Sequence, residues 1–268
     1  MNCCYIYTTQ NIMKSEANSY INFYEDLLIK SIETLLKFYK NDINKLYILI
    51  DNQADRERIN FIMDIINSIN ENSINIIYKF IDLGITKIIK YPENNMNKLK
   101  INRIGLLKFF IPYLVDVDDI LYIDCDILFN GNVIDNIFEN FDSNTLFKMF
   151  QGGKNSGLIL FNCNKWRQDV NILNTIKEFY NNNEDIETVD ESMFRWLVNN
   201  YDDVIKDYNW KIDFPIVKNK FNGIINDLNM NLEYYKDIWK EMNIIHLYGW
   251  YNEKHDFYKI YNYIMSNG

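Results

Sequence analysis

Two carboxylates, one residue apart, close the apolar run Leu121-Tyr122-Ile123: Asp124 and Asp126, with Cys125 between them. Positions i and i+2 of a strand share a face, so their side chains converge on one point. Held that close, two carboxylates repel each other unless a cation neutralises them. Hard oxygen ligands suit Mg²⁺ or Mn²⁺, and either ion would then bridge to phosphate oxygens. The same triplet is also met as a pair of solvated acids at a strand end, so context has to decide. His246 supplies some of it. It is one of two histidines and follows the apolar pair Ile244-Ile245, which sets it at a strand end facing the same cleft.

The balance of charge fits that reading. There are 28 Lys and Arg against 37 Asp and Glu, a net charge of −9. This argues against a nucleic-acid partner, whose phosphates demand clustered Lys and Arg. It argues equally against docking on anionic lipid. An acidic protein that binds a diphosphate needs a local cation. No apolar run approaches the roughly 18 residues that a membrane span requires, and Met1 to Tyr20 lacks the charged-then-apolar pattern of a signal peptide. Cys3, Cys4, Cys125 and Cys163 show no zinc or redox spacing. They read as thiols of a soluble, cytoplasmic protein in a reducing compartment.

The elements that must position these residues alternate. Cys3–Thr8 is a short β-prone run. Leu27, Leu28, Ile32, Leu35, Leu36 and Tyr39 recur at helical spacing. Leu46–Ile50 is a continuous apolar run, as in a strand buried on both faces. Ile59, Ile62, Ile66 and Ile69 mark a helix opened by Asp55, and Ile74–Ile81 reads as a third strand. Three strand–helix repeats predict right-handed βαβ units and a mostly parallel sheet. Arg103–Val115 is expected to be helical as far as Ile111, with a kink or end at Pro112. Further strands are expected at Ile120–Ile123, Gly157–Phe161 and Ile244–Tyr248, with a helix at Glu191–Val198. With three Pro in 268 residues and no repeat or flexible linker, the whole chain, 1–268, reads as one Rossmann-like α/β domain.

Five segments in order resemble glycosyltransferase family 8, the group that includes glycogenin and bacterial galactosyltransferases. They are Tyr7-Thr8-Thr9-Gln10; Lys108-Phe109-Phe110-Ile111-Pro112 leading to the Asp124-Cys125-Asp126 triplet; Asn155-Ser156-Gly157 with Lys165-Trp166-Arg167 behind it; Asp190-Glu191; and His246-Leu247-Tyr248-Gly249. Each is weak alone, and the order and spacing make the resemblance specific. The 29 residues from Asp126 to Asn155 are similar to the short glycogenin interval, which leans the donor towards UDP-glucose.

The resemblance implies a nucleotide-binding fold of glycosyltransferase type A and a retaining hexosyl transfer from a UDP-sugar. It implies Mn²⁺ or Mg²⁺ held by Asp124, Asp126 and His246. Donor contacts would come from Tyr7, Thr8, Thr9, Gln10, Lys108, Asp124, Cys125, Asp126, Asn155, Ser156, Gly157, Asp190, His246, Gly249 and Lys254. Lys108, Asp190 and Glu191 would carry catalytic roles. The acceptor would be a glycan or a protein, and a homodimer is among the assemblies the family allows. Two positions depart from the family pattern. Asn252 stands where a Lys is usual, with Lys254 and His255 slightly later, and Glu191 replaces an amide. A binding scaffold without turnover is therefore one alternative. A nucleotidyltransferase is another, although Thr8-Thr9-Gln10-Asn11 has neither the glycine nor the lysine of a phosphate loop.

Overall fold

The apolar runs become parallel strands because both of their faces find helices to pack against. A computed structural model describes residues 1–8, 17–71, 73–89, 103–150, 155–183, 189–208, 214–215, 241–246 and 254–267, with backbone alone for 17–23, 214–215 and 254–257. The chain opens with β1 (Asn2–Tyr7), α1 (Ala17–Tyr39), β2 (Lys45–Asp51), α2 (Arg56–Asn70) and β3 (Asn75–Ile81). Asp55 caps α2, accepting from Arg58 N at 3.1 Å. Strand alternation divides the apolar side chains between two cores. Cys3, Tyr5, Tyr7, Ile48 and Ile50 join α1 and α2 on one face, while Cys4, Ile6, Tyr47 and Leu49 face the other.

The third repeat departs from expectation. A capped 3-10 turn, Leu83–Ile88, follows β3 in place of a helix. Arg103–Val115 is also broken differently. A helical turn at 103–107 (α3) tightens into a 3-10 turn at Lys108–Phe110, and α4 (Ile111–Leu114) then starts afresh. Pro112 does not end the helix. It lies in the first turn of α4, where its missing N–H costs nothing.

Next come β4 (Asp119–Ile123), β5 (Ile127–Phe129), α5 (Ile134–Phe138), β6 (Phe147–Met149), β7 (Leu158–Asn162), α6 (Cys163–Gln168), α7 (Ile172–Asn182) and α8 (Val189–Asn200). Last are β8 (Val204–Lys206), β9 (Phe214–Pro215), β10 (Ile244–His246) and α9 (Lys254–Asn267). Among the described residues the main sheet runs β3-β2-β1-β4-β7-β6-β8, and only β7 is antiparallel to its neighbours. Strand order reverses between β1 and β4, and in open α/β sheets ligands bind outside the carboxyl ends of strands at such a switch.

A small second sheet, β5-β10-β9, stands beside that point. It has its own apolar cluster, in which Leu128 and Ile245 pack with Leu27 of α1 and with Ile260 and Ile264 of α9. Lys37 fastens α9 to α1 by donating to the carbonyls of Ile264 and Met265 at 2.7 and 2.9 Å. All four cysteines are free. No helix among the described residues is long and apolar enough to cross a membrane.

Candidate functional site

β4 ends at Ile123, and the backbone turns at once. Asp124 N donates to Gly157 O at 2.7 Å and Ile127 N reaches back to Asp124 O at 3.3 Å. The two aspartates are therefore held by a turn and not by a continuing strand, yet they still converge. The same turn launches β5, whose first residue, Ile127, pairs with His246 at the end of antiparallel β10. That register carries a residue 120 positions away to the side of Asp126. His246 is 1% exposed, and its Nε2 lies 3.2 Å from Asp126 Oδ1. One ligand atom from each of Asp124, Asp126 and His246 falls within 4.8 Å of the others. Two carboxylates and an imidazole at that spacing fit a divalent ion of the Mn²⁺ kind, which accepts both oxygen and nitrogen.

Gly157 makes room for the imidazole. A Cβ at that position would lie 2.2 Å from His246 Cε1 and 2.9 Å from Nε2. Asn155 shapes the same approach, its side-chain oxygen accepting from Gly157 N at 2.6 Å.

Behind the aspartates lies a buried ion cluster. The 3-10 turn brings Lys108 inward until it is 5% exposed. Its ammonium lies 2.6 Å from Asp190 Oδ2 and 3.2 Å from Asp124 Oδ1, and it donates to Ser156 O at 3.1 Å and Ser156 Oγ at 3.2 Å. Burial works against its charge, but the Asp124 and Asp190 carboxylates outweigh burial and raise the ammonium above its ordinary pKa. Asp190, in the first turn of α8, also accepts from Ser156 Oγ at 2.7 Å. Burial alone would raise its pKa, yet Lys108 and Ser156 together hold it below the usual value. For Asp124 burial dominates, so its carboxyl is raised, with Lys108 opposing and Asp126 adding to the effect.

Beside this cluster, Glu191 Oε1 accepts from Asn155 Nδ2 at 3.4 Å, and Arg195 lies 3.5 Å from Glu191 Oε2 one helical turn on. Gly105 keeps the wall close, since a Cβ there would meet the Asp190 side chain at 3.2 Å.

The structure thus brings together Lys108, Asp124, Asp126, Asn155, Ser156, Gly157, Asp190, Glu191 and His246. Cys125 is half-buried within the turn, its Sγ 3.6 Å from Ile6 O. Tyr7 goes elsewhere. Its hydroxyl donates to Glu25 at 2.8 Å on the opposite sheet face, where Arg58 also binds that carboxylate at 2.7 Å. Thr8 leans towards β2 and donates to Asp51 at 3.3 Å. Thr9, Gln10, Gly249 and Asn252 lie outside the described residues, as do the side chains of Lys254 and His255.

The Lys165-Trp166-Arg167 segment is structural. Trp166 is fully buried, and Arg167 donates to the carbonyls of Pro112, Val115 and Val117. One member of the site was missed from sequence: Tyr122, whose hydroxyl donates to Asp124 and whose ring lies 4.9 Å beneath the Lys108 ammonium. Its position two residues before Asp124, on the same strand face, was the available signal.

No known family profile matches the chain. In sequence it is 28% identical over 132 residues to glycosyltransferase GlyE of Streptococcus pneumoniae serotype 4, a match spanning 47% of this chain and 32% of that relative. In structure it resembles the galactosyltransferase LgtC, with a TM-score of 0.64 at 13% identity, over 98% of this chain and 96% of the other. The chain shares its fold with these glycosyltransferases, and about half of it is similar in sequence to one of them. Mouse xyloside xylosyltransferase 1 shares the fold as well, with a TM-score of 0.59 at 13% identity over 93% of this chain and 98% of that one. The mostly parallel sheet with its switch between β1 and β4 is thus the glycosyltransferase type A arrangement. The match spans about a third of the length of that curated relative.

Proposed function

We propose that the chain is a single domain that retains anomeric configuration while moving a hexose from a UDP-sugar, glucose foremost, to an acceptor hydroxyl. The observation that carries this reading is the convergence of Asp124, Asp126 and His246 at the carboxyl end of β4. These three side chains would hold Mn²⁺ or Mg²⁺, which when bound supplies positive charge to the leaving diphosphate. In the transfer, the bond between the anomeric carbon and the diphosphate oxygen breaks, and its electron pair stays with the phosphate. The acceptor oxygen bonds to the same face of that carbon, and its proton passes to the departing phosphate oxygen.

Lys108 fixes Asp124 and Asp190 and adds charge where charge develops. Asp190, held in turn by Ser156, is placed to orient the sugar or the acceptor. Glu191 offers a carboxylate at the sugar face, where positive charge grows on the ring. The acceptor is proposed to be a glycan or a protein, and the four unpaired thiols fit a cytosolic setting.

The test is a transfer and hydrolysis assay over UDP-glucose, UDP-galactose and UDP-GlcNAc, with Mn²⁺ and with chelator, alongside thermal shift. Selective stabilisation by one donor names the sugar, because ligand binding raises stability by mass action. Binding without any turnover would instead identify a nucleotide-sugar scaffold. That second reading draws on Lys108, whose ammonium is already occupied by Asp124, Asp190 and Ser156.

A further inference from the structure

Asp51, the last residue of β2, is 3% exposed and yet has no cationic partner among the described residues. Its contacts are neutral donors: the Thr8 hydroxyl at 3.3 Å on Oδ2 and Gln53 N at 3.1 Å on Oδ1. Burying a carboxylate without a cation is expensive, and folds keep such groups where something else repays the cost. The place is informative, since Asp51 stands at the carboxyl edge of the parallel strands, where ligands of open α/β sheets are bound.

Strand register ties it to the aspartate cluster. Tyr7 pairs with Ile50, which sets Thr8 beside Asp51. Cys4 pairs with Tyr122, so the same register continued forwards sets Ile6 beside Asp124. The ends of β2, β1 and β4 therefore stand side by side, with Asp51 two strand spacings across and two residues further along, about 12 Å in all, from the aspartate turn. The alternation agrees as well. Tyr47 and Leu49, Cys4 and Ile6, and Ile120 and Tyr122 all lie in one core. Asp51 and Thr8 continue the first two series on that face, and Asp124 is held to it by Tyr122 and Lys108. A nucleoside diphosphate with its phosphates at Asp124 and Asp126 is long enough to lay its nucleoside over β1 and onto Asp51.

We infer that Asp51, oriented by Thr8, accepts a hydrogen bond from the nucleoside half of the donor and so helps select it. The inference rests on the UDP-sugar reading above. The group it would meet is a hydrogen-bond donor, either a ribose hydroxyl or the uracil N3–H. Such a bond to a charged acceptor at a buried position is directional and selective.

The test is titration calorimetry of UDP with Mn²⁺ present, on the full chain and on Asp51→Asn. The amide keeps the acceptor for Gln53 and can still bond Thr8, so only the charge is removed. Binding is expected to weaken by about tenfold or more, as for other hydrogen bonds to charged groups. Mn²⁺ affinity, measured alone by electron paramagnetic resonance, and melting temperature should be unchanged. Two analogues identify the donor group, 2′-deoxy-UDP and N3-methyl-UDP. The one whose penalty in the wild-type chain shrinks in Asp51→Asn carries the contact.

An Asp51→Asn variant that binds UDP within twofold of wild type overturns the inference and leaves the donor reading standing. So does a loss matched by a fall in Mn²⁺ affinity or melting temperature, which would make Asp51 structural, and so do penalties for both analogues that persist undiminished. Wild-type protein that binds no UDP at all overturns both.

Discussion

Gly157→Ala adds a single methyl group and should disable the metal site without unfolding the domain. The Cβ would stand 2.2 Å from His246 Cε1 and 3.0 Å from Asn155 Oδ1, where carbon atoms in contact stay about 3.5 Å apart. The imidazole must therefore retreat by more than about 1 Å. It has little freedom to do so, being 1% exposed on a strand paired to β5. Ligand positions in metal sites are held to within about 0.2 Å, so a ring displaced this far is lost as a ligand. Perturbing outer-shell partners alone typically costs 10–100-fold in metal affinity. We expect Mn²⁺ affinity to fall by at least about tenfold in titration calorimetry, with sugar transfer falling in step. The overpacking should cost about 1–3 kcal/mol, visible as a lower melting temperature in a chain that still folds. A double-mutant cycle with His246→Ala isolates the cause. Once the ring is gone the methyl group meets only Asn155 Oδ1, so the two substitutions should be strongly non-additive. Undiminished Mn²⁺ binding by Gly157→Ala, or simple additivity with His246→Ala, would refute the reasoning.

Three further outcomes are expected. Chelator should abolish transfer and added Mn²⁺ restore it, and Asp126→Ala should lose turnover with its fold intact; activity that survives chelation counts against the assigned ligands. Lys108→Met leaves the half-buried Asp124 and Asp190 without their cation; full burial would make that cost about 3–5 kcal/mol and partial exposure reduces it, so urea denaturation should show a loss above about 1 kcal/mol. Glu191→Gln keeps shape and removes charge, and kcat should fall about tenfold or more, equivalent to about 1.4 kcal/mol of barrier, while an unchanged or faster variant assigns the charge no catalytic part.

The strands that decide the topology were legible because each is an uninterrupted apolar run: Leu46–Ile50 and Ile120–Ile123 lose only one or two end residues against β2 and β4. Helix α2 was equally clear, since its buried Ile59, Ile62 and Ile66 carry the period and Asp55 marks its start. Short elements in hidden surroundings were not legible. β6 is a fully buried strand with lysine at its centre, and local sequence cannot show that Lys148 reaches Asp207 at 2.9 Å and the carbonyl of Asn136 at 2.8 Å. The break at Lys108 was missed for a related reason. Residues 103–114 look continuously helical, yet the ammonium has to turn inward to meet two carboxylates that come from β4 and α8. Tyr7 shows the limit of a contiguous motif, since its hydroxyl turns to Glu25. The resemblance groups Tyr7 with Thr8, but the side chains of neighbouring residues on a strand point to opposite faces.

The charge of the assembled site supports the proposed cation. Asp124, Asp126, Asp190 and Glu191 bring four carboxylates to one cleft, and Lys108 and Arg195 answer two of them. With His246 neutral, as a ligand must be, two negative charges stay uncompensated, the amount that a single divalent ion cancels. Lys108 and Ser156 fix one pair of carboxylates, and the β5–β10 register delivers the imidazole to the other. Packing and backbone pairing therefore bring the proposed ligand atoms together. A diphosphate approaching the same cleft without the ion would meet net negative charge, in a protein already acidic overall. Nucleotide affinity should therefore depend on the cation far more than on Lys108, whose buried ammonium is committed to holding carboxylates.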